Sequence, residues 1–198
     1  MIIYEPKWKS YICKTDEPIF TPEECNLIIQ IGRNEKIVEG TISHVKKKID
    51  DEIGQVDKKI RTSHISWIPF NKMTSFYKKI EATMIRTNGN HFGFDGMTIS
   101  EQAQYTEYDE DGFYNWHTDS DPIMIHEPPV RKISMSLLLS QENEFEGGGL
   151  EITEEGKVID LKQGHAIFFA SFLAHRVKPI TKGNRKSLVM WFGGPPLK

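Results

Sequence analysis

The residues of this chain best suited to chemistry lie in YNWHTDSD, residues 114–121. His117 and Asp119 stand two apart, and in a strand such residues project to one face while Thr118 faces away. One imidazole and one carboxylate can therefore aim at a common point. A lone His-x-Asp is a weak pattern and by itself reads as a polar strand edge. FLAHRVKPITKGNRKSLVMWFG, further along, changes the odds. His175 begins one strand there and Arg185 the next, and the Lys182-Gly183-Asn184 turn is expected to fold the two into a hairpin. His117, Asp119 and His175 together would occupy one face of an octahedral metal. Two imidazoles and a carboxylate with the opposite positions open suit non-haem Fe(II) that must also bind a co-substrate and O2. A buried arginine nearby can grip a carboxylate with two charged hydrogen bonds, a geometry lysine reproduces poorly.

These side chains need a scaffold, and its elements are legible. FTPEECNLIIQIG carries the signals of a helix start: Thr21 as N-cap, Pro22 at the first helical position, and Glu24 completing a capping box. Leu27, Ile28 and Ile31 are its expected apolar face and Gly32 its stop. A second helix is expected over about 71–87, with Met73, Phe76, Tyr77, Ile80 and Met84 at helical spacing and facing the core. Segment 39–59 is polar and weakly periodic and reads as a mobile loop or irregular hairpin. From about residue 97 short strands take over: MTISEQAQYTEY alternates with period two, followed by RKISMSLLLS, EGGGLEI, GHAIFFAS, HRVKPI and RKSLVMWFG. Helices first and many antiparallel strands after them imply an α+β chain ending in a β-sandwich or jelly roll.

Bulk properties restrict the function classes. A chain of 198 residues with 38% hydrophobic and 27% charged residues is expected to form one globular domain over 1–198. The N-terminal sequence has neither an apolar spanning run nor a signal-peptide pattern, so no membrane association is expected. Two cysteines allow no disulfide framework and no cysteine-based zinc site, and a reducing cytoplasm is the simplest location. The net charge of −3 offers no general attraction for phosphate backbones. Residues 1–100 hold 15 Lys/Arg against 13 Asp/Glu, and residues 101–198 hold 10 against 15. The basic run from Lys46 to Arg61 reads as a solvated face. No nucleic-acid partner is expected, given the acidic second half.

Three stretches carry a family resemblance: QYTEYDEDGFYNWHTDSD, EFEGGGLEI and GHAIFFASFLAHRVKPITKGNRKSLVMWF. With them the chain resembles Fe(II)- and 2-oxoglutarate-dependent dioxygenases of the prolyl 4-hydroxylase-like branch, which includes the bacterial PKHD-type hydroxylases. FTPEEC and IRTSHISWI are weaker matches upstream. The resemblance implies a fold that is α+β and mainly β: a double-stranded β-helix, the cupin-like jelly roll, over about 97–198. Helices packed on one outer face would supply a helical N-terminal support over about 1–96. It implies His117, Asp119 and His175 as iron ligands, Arg185 as the cation for the distal carboxylate of 2-oxoglutarate, and Tyr108 as a co-substrate contact. Lys186 is the alternative to Arg185, because the spacing from His175 is one residue longer than in some relatives. In hypoxia-sensing relatives a tyrosine also touches 2-oxoglutarate from the strand equivalent to RKISMSLLLS. Leu138 occupies that place here, which leaves the arginine's hydroxyl partner open.

The implied reaction is hydroxylation with O2 and 2-oxoglutarate as co-substrates, succinate and CO2 as co-products, and ascorbate as a reductant. A peptidyl prolyl group is the leading substrate; another protein side chain or a small metabolite is the alternative, and the oligomeric state stays open. A noncatalytic jelly-roll binding module and a cupin-like enzyme without 2-oxoglutarate are the rival readings. Trp191 shares Arg185's strand face and either lines the substrate cavity or fills the core, as do Trp67 and Trp116. Arg61 and Ser63 are candidates for the substrate side. Tyr114 would join the cavity edge only if strand alternation ran unbroken through Asn115 and Trp116, which is not expected. Gly147, Gly148 and Gly149 read as a strand-entry bulge, His165 as a surface or core histidine, and Asp109–Gly112 as a solvated acidic turn.

Overall fold

The computed structural model describes residues 10–41, 56–120, 129–153 and 157–196. Strand β1 (Ile12–Lys14) leads into helix α1 (Pro22–Asn34). Short strands β2 (Val38–Glu39), β3 (Arg61–Thr62) and β4 (His64–Ile68) precede helix α2 (Thr74–Thr87). Then come β5 (Thr98–Ile99), β6 (Ala103–Tyr108), β7 (Phe113–His117) and β8 (Val130–Leu138). The remaining strands are β9 (Phe145–Gly147), β10 (Leu150–Ile152), β11 (Val158–Ile159), β12 (Ala166–Ala170), β13 (His175–Val177), β14 (Ile180–Gly183) and β15 (Arg185–Gly194).

The capping box of α1 forms as its sequence dictates. Thr21 Oγ1 accepts from Glu24 N at 3.3 Å, and Thr21 N donates to Glu24 Oε2 at 2.9 Å, so two of the helix's orphan donors are satisfied. Its buried face differs from the expected one. Cys25, Ile28, Ile29 and Gly32 are buried, whereas Leu27 is exposed. The helical stripe runs i, i+3, i+4, i+7 from Cys25, a small apolar residue that a count of large aliphatics passes over. Gly32 does not stop the helix, which runs on to Asn34. A Cβ there would fall 2.4 Å from Tyr105 Cγ, so the glycine lets α1 lie against β6. In α2 the expected stripe holds: Phe76, Tyr77, Ile80 and Met84 are buried, with Met73 buried just ahead of the helix. The Tyr77 hydroxyl donates to Ile68 O and accepts from Ala103 N, both at 2.6 Å, tying α2 to β4 and β6.

Among the described residues fifteen strands form two facing sheets and a two-stranded ribbon. The larger sheet runs β1-β12-β8-β15-β6-β4-β2, with β5 also on β15; the smaller runs β11-β10-β13-β7-β3; β14 pairs with β9. Strand β12, AIFFA, is buried throughout because both of its faces are covered. Phe168 joins the outer layer with Ile28, Ile80, Tyr105, Met135 and Phe192, between the large sheet and the two helices. Ile167 and Phe169 join the inner layer with Tyr108, Leu138, Leu150, Ile152 and Val177, between the two sheets. This is the expected jelly roll with helices on one outer face. The first half of the chain is not helical support alone, because β1, β2, β3 and β4 complete the sheets at their edges.

Two further local expectations need correction. MTISEQAQYTEY is not one alternating strand: it breaks into β5 and β6, and β6 is buried on both faces. Lys182-Gly183-Asn184 does not close a hairpin between the strands of His175 and Arg185. Strand β13 lies in the small sheet and β15 in the large one, and β14 between them pairs with β9. The chain thus changes sheet at Gly183, whose φ of 78° suits glycine. Of segment 39–59, Glu39 belongs to β2 and 58–60 form a turn, while 42–55 lie outside the described residues. Among the described residues no helix is long and apolar enough to cross a membrane.

Candidate active site

Strands β7 and β13 set the centre of the site. His117 and His175 are directly opposed in the small sheet, yet the next pair is Tyr114 with Val177, so three residue steps on β7 face two on β13. That bulge at Asn115 and Trp116 has two consequences. It frees Asn115 O to accept from His117 Nδ1 at 2.8 Å, as Leu173 O accepts from His175 Nδ1 at 3.0 Å. A carbonyl can only accept, so both Nδ1 atoms carry the proton and both Nε2 lone pairs are left for a metal. It also brings Tyr114 onto the face of His117, although residues three apart in a regular strand point oppositely. The expectation that Tyr114 stays off the inner edge is therefore corrected, and it joins because alternation fails.

The three expected ligands converge. His175 Nε2 lies 3.4 Å from Asp119 Oδ2 and His117 Nε2 lies 3.8 Å from Asp119 Oδ1, and one ligand atom from each residue falls within 4.8 Å of the others. All three side chains are at most 10% exposed. Burial, reinforced by the neighbouring His175, lowers the His117 pKa to about 3, so the ring is a neutral donor. Burial pushes Asp119 upward, but His175, His117 and the Ser134 hydroxyl outweigh it and hold the carboxyl below its ordinary value. Two imidazoles and a carboxylate whose ligand atoms converge fit a divalent metal of the non-haem iron type, with Arg131 donating to Asp119 O at 3.4 Å beside them.

Behind the carboxylate stands a shell that the sequence reading missed. Ser134 Oγ donates to Asp119 Oδ2 at 2.7 Å and lies 3.0 Å from Ser171 Oγ, while Ser171 O accepts from Asp119 N at 2.9 Å. Ser134 and Ser171 are fully buried. A signal was available: Ser134 and Ser136 alternate with Ile133, Met135 and Leu137 in a strand apolar enough to be covered on both sides. Polar residues at every second position of such a strand mark an inward face with hydrogen bonds to make.

Arg185 lies on the inward face of β15, opposite Tyr108 on β6, with its guanidinium carbon 5.8 Å from the Tyr108 ring. It is 3% exposed, and among the described residues no carboxylate pairs with it. Burial lowers its pKa, with Tyr108 opposing. Its Nη1 donates to Ser187 Oγ at 3.3 Å, so Ser187 supplies the nearby hydroxyl that Leu138 lacks. Leu138 sits opposite Ser187 and packs in the inner apolar layer. Gly148 (φ 63°) makes room: a Cβ there would come 2.2 Å from Ile180 Cδ1 and 3.1 Å from Arg185 Cδ. Gly147, the last residue of β9, and Gly148, just beyond it, both have positive φ, and the chain breaks there before β10 in place of a single Gly-opened strand. Lys186, the alternative cation, pairs with Glu144 at 3.2 Å from the next position along β15.

Trp191 lies opposite Ser134, so it shares the inward face, with Trp67 at 5.9 Å and the Arg131 guanidinium 4.2 Å over its ring. Arg131 is held by Glu101 through two 2.5 Å contacts. The Trp191 Nε1 donor is buried and has no partner among the described residues. Arg61 and Ser63 are buried and joined by a 2.7 Å hydrogen bond, with Arg61 4.6 Å over the Tyr114 ring. Trp116 is outside this wall, beneath Arg176, which pairs with Glu151. His165 bonds Thr15 O at 3.1 Å. The acidic turn is exposed but tied in, since Asn184 Nδ2 donates to Asp109 Oδ1 and Gly183 N to Glu110 Oε1.

Residues 103–193 match the 2OG-Fe(II) oxygenase superfamily. A PKHD-type hydroxylase of Idiomarina loihiensis is 37% identical over 129 residues, 61% of this chain and 57% of that protein. One of Parvibaculum lavamentivorans is 33% identical over 93 residues, 44% of this chain and 41% of that protein. The matched segments thus span less than two thirds of these curated relatives. Among solved structures, a viral collagen prolyl hydroxylase of Paramecium bursaria Chlorella virus-1 in complex with 2OG is similar with a TM-score of 0.67 and 19% identity, covering 93% of this chain and 97% of that one. A prolyl-4-hydroxylase of Pseudomonas putida has a TM-score of 0.67 and 17% identity, covering 93% and 92%. At such identities the structural likeness speaks to the fold alone. The match to the 2OG-Fe(II) oxygenase superfamily thus falls on the segment that carries His117, Asp119, His175 and Arg185, and the curated proteins similar to this chain are PKHD-type hydroxylases.

Proposed function

We propose that this protein is an Fe(II)- and 2-oxoglutarate-dependent hydroxylase acting on a peptidyl prolyl residue. The observation that carries this reading is a buried guanidinium, Arg185, without an acidic partner among the described residues, in the same inter-sheet interior as the His117, Asp119 and His175 side chains. An uncompensated buried cation is costly, and an anionic ligand removes that cost. A dicarboxylate that spans metal and arginine answers both features at once.

His117, Asp119 and His175 would hold the iron. Bound Fe(II) with 2-oxoglutarate supplies the oxidising power for hydroxylation, with succinate and CO2 as co-products. Arg185 grips the far carboxylate, to which the Tyr108 and Ser187 hydroxyls also donate. Leu138, Ile152, Phe169 and Val177 keep water away from this end of the cavity. Trp191 borders the substrate side, with Arg61 and Ser63 in the wall beyond. An apolar ring such as proline suits the Trp67–Trp191 face, which favours a prolyl group over a charged metabolite. A structure of similar fold, a prolyl hydroxylase from Trichoplax adhaerens, is in complex with a hypoxia inducible factor peptide fragment, which supports a peptide as the ligand here. Ascorbate serves as an external reductant in this scheme.

Anaerobic addition of Fe(II) and 2-oxoglutarate should produce a weak visible charge-transfer band, and admission of air should release succinate when a proline-containing peptide is supplied. Asp119→Ala should lose both. Absence of the band and of succinate with every peptide and metabolite offered overturns the proposal; succinate formation driven by a metabolite and not by peptides overturns the prolyl assignment alone.

A further inference from the structure

The metal-binding face of the small sheet carries a column of stacked groups that extends past the ligands. His117 and His175 have ring centroids 4.0 Å apart. Tyr114 stacks on the other side of His117 at 3.5 Å and 12° between planes. Arg61 covers the far face of Tyr114 at 4.6 Å. The register enforces this order, because Arg61 on β3 pairs directly with Tyr114 on β7, and the bulge then places His117 beneath Tyr114.

Arg61 is built into its place. Nε donates to Ser63 Oγ at 2.7 Å, Nη1 to Thr41 O at 3.1 Å and Nη2 to Gln104 Oε1 at 3.0 Å. All three acceptors are neutral, and the residue is 6% exposed. The charge is therefore presented to the negative face of the Tyr114 ring, where a cation is attracted by the ring quadrupole. Gly40 leaves the space: a Cβ there would lie 2.4 Å from Ser63 Oγ and 2.5 Å from Arg61 Nε. A planar fork anchored on three sides and laid on an aromatic ring restrains that ring more than a lysine could.

We infer that Arg61 is a positioning residue for His117, acting through the Tyr114 ring, so that affinity for a divalent metal depends on a guanidinium that is not itself a ligand. The inference rests on the metal-binding reading above. With its ring plane held parallel to the Tyr114 ring, the tilted His175 ring beside it at 54°, and its Nδ1 on Asn115 O, His117 keeps its Nε2 aimed at the centre without having to be ordered by the metal.

The test is Co(II) titration of the purified full chain, followed by its visible absorption, beside thermal unfolding of the same samples without metal. Arg61→Met and Tyr114→Leu should each weaken Co(II) binding by about tenfold, and the double variant should be no weaker than either alone, because both break one column. Tyr114→Phe, which keeps the stack, should bind as wild type does. Gly40→Ala, which displaces Arg61 without removing it, should weaken binding. Arg61→Lys should fall between Met and wild type, and it carries the test if Arg61→Met does not fold. Variants with lowered melting temperature but wild-type Co(II) affinity reduce Arg61 to a structural role and overturn the inference. A wild-type chain that takes up no Co(II) overturns the metal reading and this inference with it.

Discussion

The Ser134 hydroxyl donates to Asp119 Oδ2 at 2.7 Å and is itself 3.0 Å from the Ser171 hydroxyl. A buried carboxylate meant for a metal is thereby pinned from behind, in one rotamer. Ser134→Ala should weaken divalent-metal affinity by about tenfold and lower the stability of the metal-free protein by about 1.5–3 kcal/mol, since a hydrogen bond to a charged group is lost. Ser134→Thr keeps the hydroxyl and should retain most of the affinity. Calorimetric titration with Mn(II) reads the first effect and urea unfolding the second; equal affinity in the alanine and wild-type proteins would remove Ser134 from the site.

Acid should destabilise the metal-free fold through His117. In the fold its ring resists protonation down to about pH 3, because it is buried beside His175. In the unfolded chain an imidazole takes up a proton below about pH 6.5. Between those limits the unfolded state holds the extra proton, so stability falls as pH drops through the window, by up to about 1.4 kcal/mol per pH unit. Above it His117 contributes no slope. Asp119 acts in the same direction at lower pH, because its lowered folded pKa means that stability present above its unfolded value is lost on acidification. Urea unfolding between pH 7 and 4 should show a shallower slope for His117→Gln; parallel curves would contradict the assignment.

Arg185→Met should separate stability from co-substrate binding. Removing a buried guanidinium that lacks an acidic partner, and replacing it with an apolar chain of similar length, should leave the metal-free protein as stable as wild type or more so. The same change should weaken 2-oxoglutarate binding by about 10–100-fold, the loss of charged hydrogen bonds worth about 1.5–3 kcal/mol. Thermal unfolding and the Fe(II)/2-oxoglutarate absorbance titration check the two halves. An unchanged 2-oxoglutarate requirement would take Arg185 out of the co-substrate site.

Gly148→Ala should reach Arg185 indirectly. The position has φ 63°, and its Cβ would crowd Ile180 Cδ1 and approach Arg185 Cδ. The substitution should cost about 1–3 kcal/mol of stability through overpacking. It should also raise the 2-oxoglutarate requirement while leaving Co(II) affinity unchanged, because the metal ligands lie on other strands. Co(II) binding that weakened together with 2-oxoglutarate binding would point to a general loss of fold.

Much of the site could be read from residue type and local period. His117 and Asp119 are two apart, and a strand exposes such a pair on one face wherever it is placed. The α1 cap and the α2 stripe are equally local, and both formed. Reading failed where contact depends on register. Leu27 was expected to be buried, but the stripe begins at Cys25, and only the approach of Tyr105 to Gly32 decides which face packs. The hairpin expected between His175 and Arg185 is a change of sheet, because β14 finds β9 rather than letting β13 and β15 pair.

By itself, then, the amino-acid order determined the donor atoms and their chemistry: two imidazoles, a carboxylate and an arginine on strands of suitable period. Tertiary structure decided what holds them. The bulge at Asn115 and Trp116 exists only because β7 pairs with β13 at that register, and it sets Tyr114 over His117, while the pairing of β3 with β7 sets Arg61 over Tyr114. Ser134, Ser171 and Gly148 reach Asp119 or Arg185 across strand pairs and sheet crossings, from other parts of the chain. Side-chain alternation is a property of one strand and can be read locally, whereas strand pairing is settled by the burial of both sheets together.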